Sequence, residues 1–563
     1  MMSVAQGRVS ESIGDRFLSL AEIQPDRKWC TYYAGPENCI DVTYGELKER
    51  ALQYAATFGV GFGKRIAVCL YPSRDLHAAF LGAMLAGHVP AMMPPFSSKT
   101  EPEKLRKTIV HFLDSMAPEM VVIDDETLLR LKDASVQLPS GVGVISSSDV
   151  AARCIAPGVQ RSGADIAFIQ HSSGTTGLQK GVALSHRSVV RHFEAYSNAI
   201  ALDAKTDVVV SWLPLYHDMG LISCFIVPML AGISIIEIPT LTWAAKPGLL
   251  FDAITKYKPT LCWLPNFAYT YLSQGLQRAI GAANWKLSSI RLWTNCSEPV
   301  TCRSQEIFLQ AFEGIGCMRA SLGASYAMAE NVFAVTQLTN SMDALMEVSK
   351  EALARRQVLP PSGSEDIRIL VSCGRPVAGV SLKILEPESE SESVFAVGEI
   401  AIKSDFMFSE YWNNPEATAK AFTADGYYRS GDSGFVNNDA VYVTGRLKDI
   451  IIIQGKNIHA GDIEELLSGI HGLIPGRVVA LGLADDATGS ERLAILAETE
   501  LTEESEKKIV VSRIRTKITS ELGVAASLIR LLPPRWLIKS TSGKMARMEN
   551  REKLMQVIEA KNV

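Results

Sequence analysis

Ile169-Gln-His-Ser-Ser-Gly-Thr-Thr-Gly-Leu-Gln-Lys-Gly181 runs an apolar strand into a loop of glycines and small hydroxyl residues that closes on Lys180. Each residue type suits an anion. Glycine lets backbone amides approach phosphate oxygens, serine and threonine add donors, and lysine supplies charge. The Gly-Lys-Ser/Thr ending of a Walker loop is missing. A flexible linker is the bland alternative. It fits poorly, because the loop is gripped between the strand before it and the apolar Val182–Leu184 after it.

The same strand-and-helix beat extends on both sides. Thr43-Tyr44-Gly45-Glu46 predicts a capping box, followed by Leu47, Ala51, Leu52, Ala55 and Ala56 at helical spacing. Arg65–Tyr71 is a compact apolar run, and Asp75–Ala86 predicts a helix stopped by Gly87. Further apolar runs fall at Val121–Ile123, Ile166–Ile169, Val208–Trp212, Ile233–Ile238 and Leu261–Leu264. Apolar runs flanked by helices predict an α/β chain with mostly parallel sheets covered on both faces. After about Leu370 the texture changes. Val371–Leu385, Glu399–Lys403 and Val441–Thr444 predict a β-rich subdomain over about 370–447, with Pro387–Ser393 a polar loop. From Asp449 an α/β pattern resumes, with helices near Asp462–Ser468 and Glu504–Leu522 and strands near Val478–Leu483 and Leu493–Glu498. The main boundary is placed at Gly445–Asp449, dividing 1–447 from 448–563.

Composition narrows the function classes. The 563 residues carry 56 basic and 61 acidic side chains, a formal net charge of −5, which offers no basic face for nucleic acid. A hydrophobic fraction of 47% and a charged fraction of 21% exclude disorder as the dominant state. Ten cysteines form no Cys-x-x-Cys pair, so neither a zinc ribbon nor a redox dithiol is expected, and Cys69 and Cys262 read as buried thiols of a reducing compartment. Met1–Arg16 lacks the apolar core of a secretory signal. Leu221–Ile236, the longest greasy run, is cut by Pro228 and Gly232 and is too short for a transmembrane segment. The expected address is cytoplasmic.

Ser172-Ser-Gly-Thr-Thr-Gly-Leu-Gln-Lys-Gly181 resembles the phosphate loop of the adenylate-forming superfamily of acyl-CoA synthetases, luciferases and peptide-synthetase adenylation domains, with Gln179 where the family usually has proline. Later motifs follow in family order. Ser325-Tyr-Ala-Met-Ala-Glu330 resembles Tyr-Gly-x-Thr-Glu, with Ala327 and Ala329 as departures. Tyr427-Tyr-Arg-Ser-Gly-Asp-Ser-Gly434 resembles Tyr-x-[ST]-Gly-Asp, Gly445-Arg-Leu-Lys-Asp449 the hinge motif, and Thr541-Ser-Gly-Lys-Met-Ala-Arg547 the Ser-Gly-Lys-[IV]-x-Arg motif. The resemblance implies a large N-terminal domain of two parallel-type sheets with a β-barrel-like subdomain, and a small mobile α+β C-terminal domain. It implies ATP phosphate binding by Ser172, Ser173, Gly174, Thr175, Thr176, Gly177 and Lys180. By the same resemblance Glu330 holds Mg²⁺, Tyr326 stacks on adenine, and Asp432 accepts from the ribose hydroxyls with Arg446 nearby. Ser297, Glu298, Ser325, Ala327 and Met328 complete the adenine and ribose side, Lys448 is the pivot, and Lys544 is catalytic.

Ser211-Trp-Leu-Pro-Leu-Tyr-His-Asp-Met-Gly-Leu221 resembles the fatty acyl-AMP ligase version of the fourth motif, and Leu264-Pro-Asn-Phe-Ala-Tyr-Thr-Tyr271 the Pro-Asn-Phe-Ala run of those ligases. The resemblance implies an acyl pocket of His217, Asp218, Met219, Asn266, Phe267 and Tyr271, with His217 also counted among the catalytic residues as the entrance or gate. Asn295-Cys-Ser-Glu-Pro299 resembles Asn-Gly-Ala-Glu-Pro, with Cys296 and Ser297 as departures. Val348-Ser-Lys-Glu-Ala-Leu-Ala-Arg355, within a long connection between Glu330 and Val371, resembles the insertion of fatty acyl-AMP ligases, which restrains the C-terminal domain and disfavours CoA. The implied function is ATP-dependent activation of a fatty acid, with release of pyrophosphate and transfer to the phosphopantetheine thiol of an acyl carrier protein. Fatty acyl-CoA ligase, amino-acid adenylation domain and non-catalytic acyl-nucleotide sensor are the rival readings.

Overall fold

The computed structural model describes residues 12–95, 112–113, 115–133, 141–150, 161–171, 180–385, 397–453, 456–485, 490–540 and 544–559. Residues 172–177 and the polar segment 387–393 lie outside them.

Two seven-stranded mixed sheets form the large part of the molecule. The first is ordered Leu322–Ala324, Leu292–Cys296, Leu261–Pro265, Val208–Ser211, Ser234–Glu237, Lys28–Gly35 and Asn38–Thr43, parallel throughout except for its closing hairpin. The second is ordered Glu410–Tyr411, Gly181–Ser185, Ile166–His171, Val89–Met92, Arg65–Cys69, Met120–Ile123 and Gly143–Ser146. Its strands pair in parallel except around Gly181–Ser185, which runs antiparallel to both neighbours. The inner strands are buried on both faces, as the uninterrupted apolar runs predict, while the edge strands Asn38–Thr43 and Gly143–Ser146 are largely exposed. Local chemistry sets the helix ends. Thr43 and Glu46 form both halves of the capping box, and Gly87, at φ 89°, takes the left-handed position that stops the helix Arg74–Leu85.

The β-rich part holds a four-stranded antiparallel sheet, Val380–Leu385, Gly398–Ser404, Tyr428–Asn437 and Ala440–Arg446. The expected strand Val371–Leu385 is instead three pieces, Ile367–Val371, Arg375–Pro376 and Val380–Leu385. The breaks fall at Gly374 and Gly379, both at positive φ; a methyl group on Gly374 would lie 2.2 Å from the Gln337 carbonyl oxygen. Beyond Asp449 come the hairpin Ile450–Ile453 and Lys456–His459, and a three-stranded sheet of Val478–Asp485, Ser490–Glu498 and Ala526–Leu532. The helices Ala460–Leu467, Glu504–Leu522 and Arg547–Glu559 accompany them. This C-terminal part has its own apolar clusters, Ile451 to Ala526 and Val479 to Leu554, separate from the core of the large sheets. No helix among the described residues is long and apolar enough to cross a membrane.

Candidate active site

Parallel strands deliver their carboxyl ends to one edge of a sheet, where ligands of open α/β folds bind. In the first sheet that edge receives Trp212 to Asp218 after Val208–Ser211, Asn266 and Phe267 after Leu261–Pro265, Ser297 and Glu298 after Leu292–Cys296, and Ser325 and Tyr326 after Leu322–Ala324. Motifs scattered over a hundred residues of sequence thus share one edge because their strands share one sheet.

At the first corner His217 Nδ1 lies 2.6 Å from Asp218 Oδ1, which also accepts from the Met219 amide at 2.8 Å. Burial pushes the Asp218 carboxyl up, but the charge and hydrogen bond of His217 and the charge of Lys544 outweigh it and hold the group below the usual carboxylate range. Cys296 and Ser297 approach the Met219 sulfur from the facing strand end, with Ser297 in a left-handed backbone.

The second corner is built across two strands of the antiparallel sheet. Asp432 and Arg446 are cross-strand partners, with Arg446 Nε 3.2 Å from Asp432 Oδ1. Tyr326 donates its hydroxyl to Asp432 Oδ2 at 2.7 Å, and burial followed by this carboxylate raises the phenol well above its ordinary value. Ser325 is tied to the Thr336 carbonyl at 2.7 Å, and Met328 donates its amide to the Phe333 carbonyl at 2.9 Å. Ala327 bridges Ala334. Val332, a buried β-branched residue, sits at φ 63° in the turn that follows Glu330, a strained conformation for such a side chain.

At the third corner Tyr411 donates to Glu330 Oε1 at 2.8 Å and shares a 3.1 Å contact with the Tyr428 hydroxyl. Lys180 Nζ lies 4.4 Å from the centre of the Tyr411 ring. Strand pairing brings this about, since Tyr411 stands opposite Val182, two residues after Lys180. Burial keeps the Glu330 carboxyl above its ordinary value despite the tyrosine. A buried carboxyl held by tyrosine hydroxyls and a backbone amide, with burial still raising it, is suited to receive a cation.

Lys544 stands within electrostatic reach of the first two corners. Its turn is closed by the Ser540 amide donating to the Lys544 carbonyl at 2.7 Å and by the Ala546 amide donating to Ile538. Burial lowers the ammonium, Glu298 and Asp218 pull it back up, and Arg446 pushes it down. The side chain therefore feels both the His217–Asp218 corner and the Asp432–Arg446 corner. Glu298 itself caps the helix Asn266–Leu276 through the Phe267 amide at 2.9 Å.

The remaining sites divide. The Asn266 side-chain oxygen is occupied by Asn295, Thr301 and Ser304, an arrangement that fixes the 296–301 turn. Phe267 and Tyr271 occupy one helix face and pack against Trp212 and Trp243, but Tyr271 is 41% exposed. Lys448 lies in the short turn Leu447–Asp449, where partial burial and the Arg446 guanidinium lower it to about 8. Sequence reasoning gave no role to Tyr411, an isolated tyrosine without a motif. It gave none to Arg547 either, although Arg547 closes the Lys544 motif. Arg547 forks onto Glu464 at 2.6 and 3.0 Å and reaches Asp449 at 2.8 Å, binding the helix that follows Lys544 to the turn that holds Lys448.

Known proteins resemble this chain over nearly its whole length. The chain is 29% identical over 550 residues to JamA, a medium-chain-fatty-acid–[acyl-carrier-protein] ligase of Moorena producens, covering 93% of this chain and 91% of the relative. It is 25% identical over 590 residues to a 4-hydroxyphenylalkanoate adenylyltransferase of Mycobacterium tuberculosis, covering 98% and 93%. A solved structure from work on fatty acyl-adenylate ligases of E. coli and L. pneumophila superposes with a TM-score of 0.88 at 25% identity over 98% of both chains. The family model that matches, described as AMP-binding enzyme, spans residues 19–412, from the first helix through the strand that carries Tyr411. By that match over most of its length, and by a fold shared from end to end, this chain belongs to the AMP-binding enzymes.

Proposed function

We propose that this AMP-forming acid ligase is a fatty acyl-AMP ligase that loads a carrier protein. The observation that supports the reading is that the His217–Asp218 pair and the Tyr326–Asp432–Arg446 cluster are both built, and that Asp218, Glu298 and Arg446 all act electrostatically on the Lys544 ammonium. In the proposed reaction a carboxylate oxygen attacks the α-phosphorus of ATP and pyrophosphate leaves. Two anions must meet, so catalysis rests on positioning and charge, supplied by Lys180, Lys544 and the loop 172–177. Glu330 would hold Mg²⁺. A hard cation bridging phosphates needs a carboxylate, and Glu330 offers a buried one. Residues 448–563, pivoting at Lys448, would then move to admit the thiol.

The fatty acid assignment draws on the His217-Asp218-Met219-Gly220-Leu221 pattern and on what JamA is named for. Asp218 is engaged by His217 at 2.6 Å, which disfavours its use as the counter-ion of an amino-acid substrate. The carrier assignment draws on the ribbon Leu345–Ser349 with Ile367–Val371 and the short helix Lys350–Ala354. This insertion grips the C-terminal part through Arg368–Asp462 at 2.6 Å, Asn457 to the Ala354 carbonyl at 3.1 Å, and Lys350–Glu521 at 3.5 Å. ATP–pyrophosphate exchange over a panel of carboxylic acids, followed by competition between CoA and a holo-acyl carrier protein, tests both halves. Exchange only with amino acids defeats the first, and preferential CoA thioester formation defeats the second.

A further inference from the structure

The helix Glu504–Leu522 turns Val510, Ile514 and Ile518 into the C-terminal core and leaves Arg513 and Lys517, one turn apart, on an open shoulder. Together with the loop Gly469–His471 this shoulder borders a shallow groove, largely open to solvent, of about 490 Å³. Its walls are Arg513, Lys517 and His471, with Ser512, Thr516 and Ser520 offering hydroxyls. No carboxylate lines it. Neither Arg513 nor Lys517 has an ion-pair partner among the described residues, although the chain as a whole is acidic. Glu521, the nearest acid on that helix, is drawn away to Lys350 of the insertion. From the other side Arg303, on the helix Cys302–Phe312, lies over Gly469, where an added methyl group would meet its Nη2 at 2.7 Å. Arg303 thus borders the Gly469 end of the groove, where it also acts on Glu465, while the cations that line the groove are Arg513 and Lys517.

We propose that this groove docks the acidic face of the phosphopantetheine-bearing carrier protein, an inference that rests on the carrier-loading reading above. The chemistry matches at two levels. The arm is joined to its serine through an anionic phosphodiester, and acidic side chains around that serine would meet Arg513 and Lys517. A groove open to solvent along one side, with a charged rim and hydroxyl donors, suits a protein surface; small molecules are more often enclosed. Rim charges of this kind act on encounter and on salt dependence.

The test is the Arg513→Glu/Lys517→Glu protein, assayed with a holo-acyl carrier protein, with CoA, and in ATP–pyrophosphate exchange. The expected result is exchange within about twofold of the parent and a KM for carrier raised about tenfold or more at low salt, with the parent's salt sensitivity lost. Lys508→Glu, on the same helix but outside the groove, leaves the carrier KM unchanged. An unchanged carrier KM in the double variant overturns the docking surface and spares the carrier reading. An equal rise in the KM for CoA overturns it too, since the groove would then be reading phosphate alone. If the parent sustains exchange yet loads no carrier, the acceptor reading falls and takes the docking surface with it. Should charge reversal abolish exchange through misfolding, Arg513→Gln/Lys517→Gln gives the same readout at about threefold, and no change there overturns the proposal.

Discussion

Lys544 and Glu330 illustrate opposite uses of burial. Removing water from an ammonium costs free energy, and here Glu298 and Asp218 offset only part of that cost. Under the proposed reading the reacting phosphate and carboxylate supply the remainder, so the interaction strengthens as the reaction proceeds. Lys544→Ala should reduce pyrophosphate release about a hundredfold or more, the scale of losing one electrostatic stabiliser, while nucleotide binding stays measurable by calorimetry. Unchanged release would remove Lys544 from the chemistry. Glu330 is a buried carboxyl that accepts from the Tyr411 hydroxyl at 2.8 Å. Tyr411→Phe keeps the ring beneath Lys180 but withdraws that donor. The expected cost is about 1–3 kcal/mol in urea denaturation, with a raised KM for MgATP. Equal stability of the variant and the parent would mean that water substitutes freely.

Helix and strand positions were legible wherever one periodicity prevailed, as in Glu504–Leu522 and in the capping box at Thr43. Val371–Leu385 was misjudged because the apolar residues at its two ends were read as one strand across Gly374, Pro376 and Gly379, and the two glycines break the backbone at positive φ. The candidate site was legible only through motif resemblance, since strand order, not spacing, brings Tyr411 beside Lys180. Least visible was the polar network across the strands Lys28–Gly35 and Ser234–Glu237 and the helix Arg74–Leu85. There Tyr32 and His77 Nδ1 are 2.6 Å apart, and His77 Nε2 is 3.5 Å from Glu237 Oε2, with Cys30 at 4.0 Å. Single polar residues in apolar runs carry no pattern that announces such a pairing. Burial raises Glu237 to about 8 and lowers His77 to about 3, so both are neutral at pH 7. Because the folded carboxyl holds its proton more tightly than the unfolded one, its contribution is complete below the unfolded value near 4.5 and is lost as pH rises through 8. The parent should therefore lose several kcal/mol of stability between pH 5 and pH 8.5 relative to Glu237→Gln, an order set by about 1.4 kcal/mol per pKa unit. Parallel stability curves for the two proteins would sink this assignment.

At the scale of the whole molecule the insertion and the C-terminal part are joined by polar contacts, the clasp of the function proposed above. Arg368–Asp462 and Lys350–Glu521 are partly exposed pairs, each worth about 1 kcal/mol at most. Such pairs are too weak to set the fold but strong enough to bias a two-state movement, because 1.4 kcal/mol changes a population ratio about tenfold. Deleting 342–362 outright is a poor probe of the clasp. It would remove the buried Met342 and Val348 and the strand Leu345–Ser349. Arg368→Ala with Lys350→Ala opens the clasp and leaves the ribbon intact. If the insertion restrains movement of residues 448–563, this double variant should keep ATP–pyrophosphate exchange within about twofold and raise CoA thioester formation by up to about tenfold. Product analysis by mass spectrometry after single-turnover acyl-adenylate formation would check both numbers. A gain in neither CoA nor carrier transfer, with exchange intact, would show that these ion pairs do not govern the movement and that acceptor choice is made elsewhere in the chain.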